Sequence, residues 1–204
     1  IKKAITLKPD FWIPYNNLAT LEATIGNLRE AEKNFHKVIE INPNCVEAYV
    51  SLGEIKNDLF KINEAETFFL KSLEIRKDFV NGYCSLFRFY EKTNNLTKLK
   101  KQLNIHDGNP VIKNELLMYR ARVLFREKNF SKAKELIDEV SLNWVEKTDA
   151  NTRLNFWSFK AFIEEKSENF NEAYYSFTKS QLNKKYEKCN KTEFQNYVIN
   201  YEKN

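Results

Sequence analysis

Residues 15–35 read YNNLATLEATIGNLREAEKNF, and residues 49–69 read YVSLGEIKNDLFKINEAETFF. The two stretches share tyrosine, leucine, alanine and phenylalanine at matching places, and the second begins 34 residues after the first. Tyr83 opens a third copy after the same interval. A period of this length is typical of a helix–turn–helix unit that buries its apolar face only by stacking on copies of itself. The chain is therefore predicted to be all-α.

Each unit is predicted to hold a first helix, A, and a second helix, B. A small residue in helix B, Ala31 or Ala65, lets the two helices approach closely, and the phenylalanine that follows, Phe35 or Phe69, fills the space beside it. The third copy has leucines at both of these positions, which predicts a short or skewed second helix.

The motif of an aromatic residue, Leu-Ala or Leu-Gly, a small residue and then a second aromatic residue resembles the tetratricopeptide repeat (TPR) family. The proline at each unit boundary, Pro9 and Pro43, adds to the resemblance. The resemblance implies a right-handed superhelical solenoid of antiparallel helix pairs. It also implies a non-catalytic scaffold that binds proteins or peptides in its concave groove.

The period divides the whole chain into a single predicted array. Asn27 with Glu30, and Asn169 with Glu172, are predicted to cap the starts of two B helices. About six extra residues are predicted between Leu142 and Asn151, because two equivalent alanines of the last units are 40 residues apart. The predicted segments are the end of a truncated repeat at 1–8, repeats one to three at 12–45, 46–79 and 80–113, degenerate repeats at 114–147 and 154–187, and a capping or lead-in helix at 190–202.

Composition favours a helical protein without chemistry of its own. The chain has only four glycines and four prolines, and its three cysteines are far apart, which favours reduced thiols and a cytoplasmic location. Charged residues interrupt every apolar stretch, so no membrane span is predicted. The two histidines have no ligand spacing, and no glycine-rich phosphate loop is present. We therefore predict no catalytic residue, no metal and no cofactor.

The predicted binding residues come from the groove face of successive A helices. Arg88 with Lys92, and Arg122 with Arg126, form two i,i+4 pairs of cations that could converge in the groove. Such a cluster would attract an acidic peptide or the acidic surface of a partner, because guanidinium groups suit carboxylates. The alternative is a solvated basic face without a ligand. The predicted groove residues are Asn16, Thr20, Glu54, Asp58, Arg88, Lys92, Arg122 and Arg126.

Two other functions stay open at this point. The stretch 153–161, the turn at 169–173 and the lysine- and tyrosine-rich tail resemble the last repeats of bacterial TPR arrays that precede a sulfotransferase domain. That resemblance implies a region that presents substrate to a neighbouring transferase domain, and Asn17 alone favours a glycosyltransferase instead. Nucleic-acid binding is the third possibility, and a net charge of +5 is only weak support for it.

Overall fold

The computed structural model describes residues 1–181, and this part of the chain contains 12 α-helices and no strand. A 3-10 turn, Pro110–Ile112, precedes the eighth helix. The helices are α1 Lys2–Leu7, α2 Trp12–Thr24, α3 Leu28–Ile41, α4 Val46–Asp58, α5 Ile62–Ile75, α6 Val80–Lys92, α7 Leu96–Ile105, α8 Lys113–Arg126, α9 Phe130–Asp138, α10 Leu142–Lys147, α11 Ala150–Lys166 and α12 Phe170–Gln181.

The chain divides into two compact units, unit 1 at residues 1–102 and unit 2 from residue 103 onward. In unit 1, α2 packs against α3 and α4 against α5, so each of the first two predicted repeats is one helix pair. In unit 2, α8 packs against α9 and α11 against α12. The boundary falls within α7, inside the predicted third repeat.

Close packing of the helix pairs follows from the small residues that the period marks. Ala31 and Ala65 are completely buried, and Phe35 and Phe69 are only 2% exposed. A methyl group added at Gly53 would lie 2.7 Å from the Phe69 ring, which is shorter than a normal carbon–carbon contact. The predicted packing of helix A on helix B is therefore confirmed for unit 1.

The turn between helices A and B contains one residue with left-handed backbone geometry, and this residue recurs with the period. Its φ angle is 86° at Gly26, 58° at Phe60 and 54° at Asn94. The corresponding residues of unit 2 are Lys128, at 61°, and Glu168, at 60°. A left-handed residue ends a helix and directs the chain into the next one, and glycine adopts this conformation with the least strain.

The less regular repeats differ from the first two as their sequences indicate. Helix α7 has 10 residues whereas α3 and α5 have 14 each, which confirms the prediction of a short second helix in repeat three. The predicted insertion contains a separate short helix, α10. Helix α11 begins at Ala150 rather than at residue 154, because the Asp149 carboxylate accepts hydrogen bonds from the N–H groups of Asn151 and Thr152. The predicted helix at 190–202 lies outside the described residues.

The capping prediction was wrong in its geometry at Asn27. This residue stands at the N-cap position of α3, but its side chain makes no cap hydrogen bond and instead donates to Glu22 Oε2 at 2.7 Å. The Asn169 amide donates to Glu172 Oε2 at 2.8 Å. A capping asparagine that the sequence analysis did not predict is Asn129, whose side chain accepts from the Lys132 N–H. No helix within residues 1–181 combines the length and the apolar character needed to cross a bilayer.

Candidate functional site

Unit 1 contains a cavity of about 290 Å³ whose wall is formed by α4, α5 and α6. Two buried phenylalanines form its apolar part, and their ring centroids are 5.3 Å apart. Four of the eight predicted groove residues belong to the lining. The lining residues are Glu54, Asn57, Asp58, Phe69, Ser85, Arg88, Phe89 and Lys92.

The four charged residues of this cavity form two pairs of equivalent positions. Glu54 and Arg88 are 34 residues apart, and Asp58 and Lys92 repeat the arrangement one helical turn further along. Residues four apart on a helix lie on the same face, so α4 presents two acids and α6 presents two cations. The sequence analysis named all four as groove residues, and the structure brings the two acids and the two cations to one cavity.

Glu54 and Arg88 are bonded to each other. Arg88 Nη2 donates hydrogen bonds of 3.3 Å to Glu54 Oε1 and 3.2 Å to Ser85 Oγ. The side chains of Glu54 and Arg88 are each 52% exposed, so this ion pair contributes about 0–1 kcal/mol. We call it the closed pair.

Asp58 and Lys92 are exposed and make no ion pair or side-chain hydrogen bond with any residue in the described range 1–181. We call them the open pair. Each is the last residue of its helix. Because the carboxyl end of a helix carries partial negative charge, Lys92 is favourably placed and Asp58 is unfavourably placed. The cavity thus holds an acid and a cation that are both available to a ligand.

The other four predicted residues do not line this cavity. In unit 1, the Thr20 hydroxyl donates to the Asn16 carbonyl at 3.0 Å. In unit 2, the Arg122 guanidinium lies 4.9 Å from the centroid of the Phe159 ring, which gives it a packing role between α8 and α11. Arg126 is exposed on the last turn of α8. The convergence of all four cations on one groove segment stays a prediction.

A buried ion cluster links repeats one and two, and the sequence analysis missed it. Lys56 is only 5% exposed, and its Nζ lies 2.8 Å from Glu32 Oε1 and also contacts Glu64. Burial lowers the pKa of Lys56, but the hydrogen bonds to the two carboxylates outweigh it, so the pKa is raised overall. At the equivalent position of repeat three, the Tyr90 hydroxyl donates to Glu66 Oε1 at 2.8 Å. The 34-residue period identifies Lys56 with Tyr90 and Glu32 with Glu66 as equivalent positions, but only the structure shows that the side chains meet.

A second cavity of about 460 Å³ in unit 2 is less suited to a charged ligand. One of its two cations, Lys134, already lies 2.8 Å from Asp138 Oδ2 and 3.3 Å from Glu172 Oε2. Lys160 also bonds to Asp138. Within residues 1–181, no group of three or more histidine, cysteine, aspartate or glutamate side chains could hold a metal ion.

A family model of the tetratricopeptide repeat matches residues 14–45 and 46–79. These segments contain the helix pairs α2–α3 and α4–α5, and the second segment contains Glu54 and Asp58. No curated protein matches the chain.

Several solved structures share the fold, among them the following three. YrrB, a TPR protein with an unusual peptide-binding site, matches with a TM-score of 0.54 and 19% identity over 88% of this chain and 90% of that chain. A tetratricopeptide repeat protein from Parabacteroides merdae matches with a TM-score of 0.64 and 19% identity over 92% and 70%. The APC/C hetero-tetramer Cut9-Hcn1 matches with a TM-score of 0.71 and 13% identity over 89% of this chain and 35% of that chain. These structures show that the chain has the tetratricopeptide-repeat fold, and the family model identifies two tetratricopeptide repeats within residues 14–79.

Proposed function

We propose that the chain is a protein-binding scaffold, and that the cavity of unit 1 binds an extended peptide segment of a partner. The open pair is the observation that carries this proposal. Charged side chains in folded proteins often find partners nearby, and the equivalent residues one turn earlier are bonded to each other at 3.3 Å. Asp58 and Lys92 have the same spacing and complementary charges, yet each keeps its charge available.

The surroundings of the open pair suit a peptide. Asn57 and Ser85 place an amide and a hydroxyl in the lining, and such groups can bond to the backbone of an extended chain. Phe69 and Phe89 provide an apolar floor for a side chain of the ligand. The TPR fold of the chain and its similarity to YrrB, a TPR protein with a peptide-binding site, support the same proposal.

A selection experiment tests the proposal. The whole chain would be used to capture members of a library of short random peptides, and recovery would be compared with the double variant Asp58→Asn, Lys92→Gln. We expect the variant to bind the selected peptides about tenfold more weakly, which corresponds to ~1.4 kcal/mol spread over two partly exposed contacts.

The matched control is the double variant Lys77→Gln, Asp78→Asn. These exposed charges lie just before the start of α6, about 20 Å from Lys92 at the helix end. The control should bind the peptides like the wild type, and circular dichroism should show that all three proteins are folded. Equal losses from both double variants would contradict the proposal, because they would indicate diffuse electrostatic attraction.

The other functions predicted from the sequence find no further support. Presentation of substrate to a sulfotransferase or glycosyltransferase domain, and binding of nucleic acid, stay predictions. The predicted preference for an acidic partner also needs revision in unit 1, because Arg88 is already bonded to Glu54.

A further inference from the structure

We infer that the cavity of unit 1 selects a peptide segment of mixed charge, with an acidic side chain bound to Lys92 and a basic side chain bound to Asp58. We further infer that Glu54 determines this specificity by disfavouring purely acidic ligands. Both inferences rest on the proposed peptide-binding function and specify its ligand. They differ from the acidic peptide that the sequence alone predicts.

The charge balance of the cavity is the first argument. Its lining contains two acids, Glu54 and Asp58, and two cations, Arg88 and Lys92, so its formal charge is zero. A purely acidic peptide would meet both acids, and a purely basic peptide would meet both cations. Only a segment with charges of both signs can satisfy the open pair without bringing like charges together.

The closed pair is the second argument. An acidic ligand that used Arg88 would compete with Glu54 for the guanidinium, and Glu54 would then lose its partner at 3.3 Å. The ligand therefore gains little from Arg88, because it replaces one carboxylate with another. Glu54 thus acts as an internal competitor, and the ligand is directed to the open pair.

The position of Asp58 is the third argument. A carboxylate on the last residue of α4 faces the partial negative charge of the helix end, and no cation within residues 1–181 bonds to it. A basic side chain of the ligand would neutralise the Asp58 carboxylate and offset the partial negative charge at the end of α4. Lys92 is already stabilised in the free protein, because the partial negative charge at the end of α6 favours a cation. Asp58 is therefore the group with more to gain from a ligand, and the basic residue of the peptide is an essential part of the recognition.

The experiment starts from peptides selected with the wild-type chain from the random library. For the peptide that binds best, two synthetic derivatives are made, one with its basic residues replaced by glutamine and one with its acidic residues replaced by glutamine. Fluorescence anisotropy then gives the Kd of all three peptides for the wild type, Glu54→Gln and Asp58→Asn.

For the wild type we expect the parent peptide to bind more tightly than either derivative. Glu54→Gln should tighten binding of the acid-only derivative by about fivefold, the upper value for one exposed ion pair, because Arg88 becomes available. Asp58→Asn should remove the difference between the parent and the acid-only derivative. The Lys77→Gln, Asp78→Asn double variant should keep the wild-type order of affinities.

Two results would overturn the inference while leaving the proposed function intact. One is a selected peptide that depends on Lys92 but binds as tightly after its basic residues are removed. The other is a Glu54→Gln variant that binds the acid-only derivative no more tightly than the wild type does. If no selected peptide depends on Asp58 or Lys92, the proposed function itself fails, and the inference fails with it.

Discussion

Replacing Phe60 with glycine is expected to stabilise the protein, although removing a large apolar side chain usually destabilises one. Phe60 has a φ of 58° and is 88% exposed, so the ring contributes little packing. A side chain in the left-handed region costs roughly 1–2 kcal/mol, and glycine loses an additional ~0.5–1 kcal/mol of backbone entropy on folding. The net gain is therefore about 0.5–1 kcal/mol.

The equivalent turn of repeat one provides the opposite change. Gly26 has a φ of 86°, and an added methyl group would meet no atom within 4 Å. Gly26→Ala therefore changes backbone strain without creating a clash, and we expect it to destabilise the protein by about 0.5–1 kcal/mol. The two substitutions therefore measure the cost of a side chain in the left-handed region, once by removing the side chain and once by adding it.

Urea unfolding followed by circular dichroism measures both effects through the transition midpoint at unchanged slope. Phe60→Ala is the control, because it removes the same ring but keeps a side chain in the left-handed region. Phe60→Gly should be more stable than both Phe60→Ala and the wild type. A Phe60→Gly protein less stable than Phe60→Ala would refute the reasoning, because it would show that backbone strain does not limit this turn.

Three further predictions concern charged residues. Lys56→Ala should destabilise unit 1 by about 1–3 kcal/mol in chemical unfolding, because it removes the buried cation from the partly exposed Glu32 and Glu64 carboxylates, whereas Lys56→Met should cost less because its side chain still fills the space. Burial raises the pKa of Asp138, but hydrogen bonds to Lys134 and Lys160 outweigh burial, so the pKa is lowered overall. The ionised carboxylate therefore stabilises the fold above its unfolded pKa, and this stabilisation is lost as the pH falls through the folded pKa. Asp138→Asn should reduce the acid sensitivity of the melting temperature, and an unchanged dependence of the melting temperature on pH would contradict this. Asp58→Asn should raise the free energy of unfolding by about 0.3–1 kcal/mol while weakening peptide binding, because the carboxylate lies at a helix end that disfavours it; a variant that loses stability would contradict the functional interpretation of this residue.

The sequence by itself determined the repeat and the positions that build it. The 34-residue recurrence identified the small residues, Ala31 and Ala65, that the structure buries completely, and it placed the helix pairs of repeats one and two. It also indicated the short α7 from two leucines. Such features are local or periodic, because helix formation and close packing within a pair depend on residues a few turns apart. Asparagine capping was less predictable, since the side chain of Asn27 has a competing acceptor in Glu22.

The tertiary structure alone decided which charged residues act together. The sequence identified Glu54, Asp58, Arg88 and Lys92 as groove residues, but only the packing of α4 beside α6 shows one pair closed and the next pair open. It likewise buries Lys56 between two carboxylates from different helices. The physical reason is that an ion pair depends on distances of a few ångströms between side chains from separate repeats, and a periodic pattern specifies which positions are equivalent without specifying those distances.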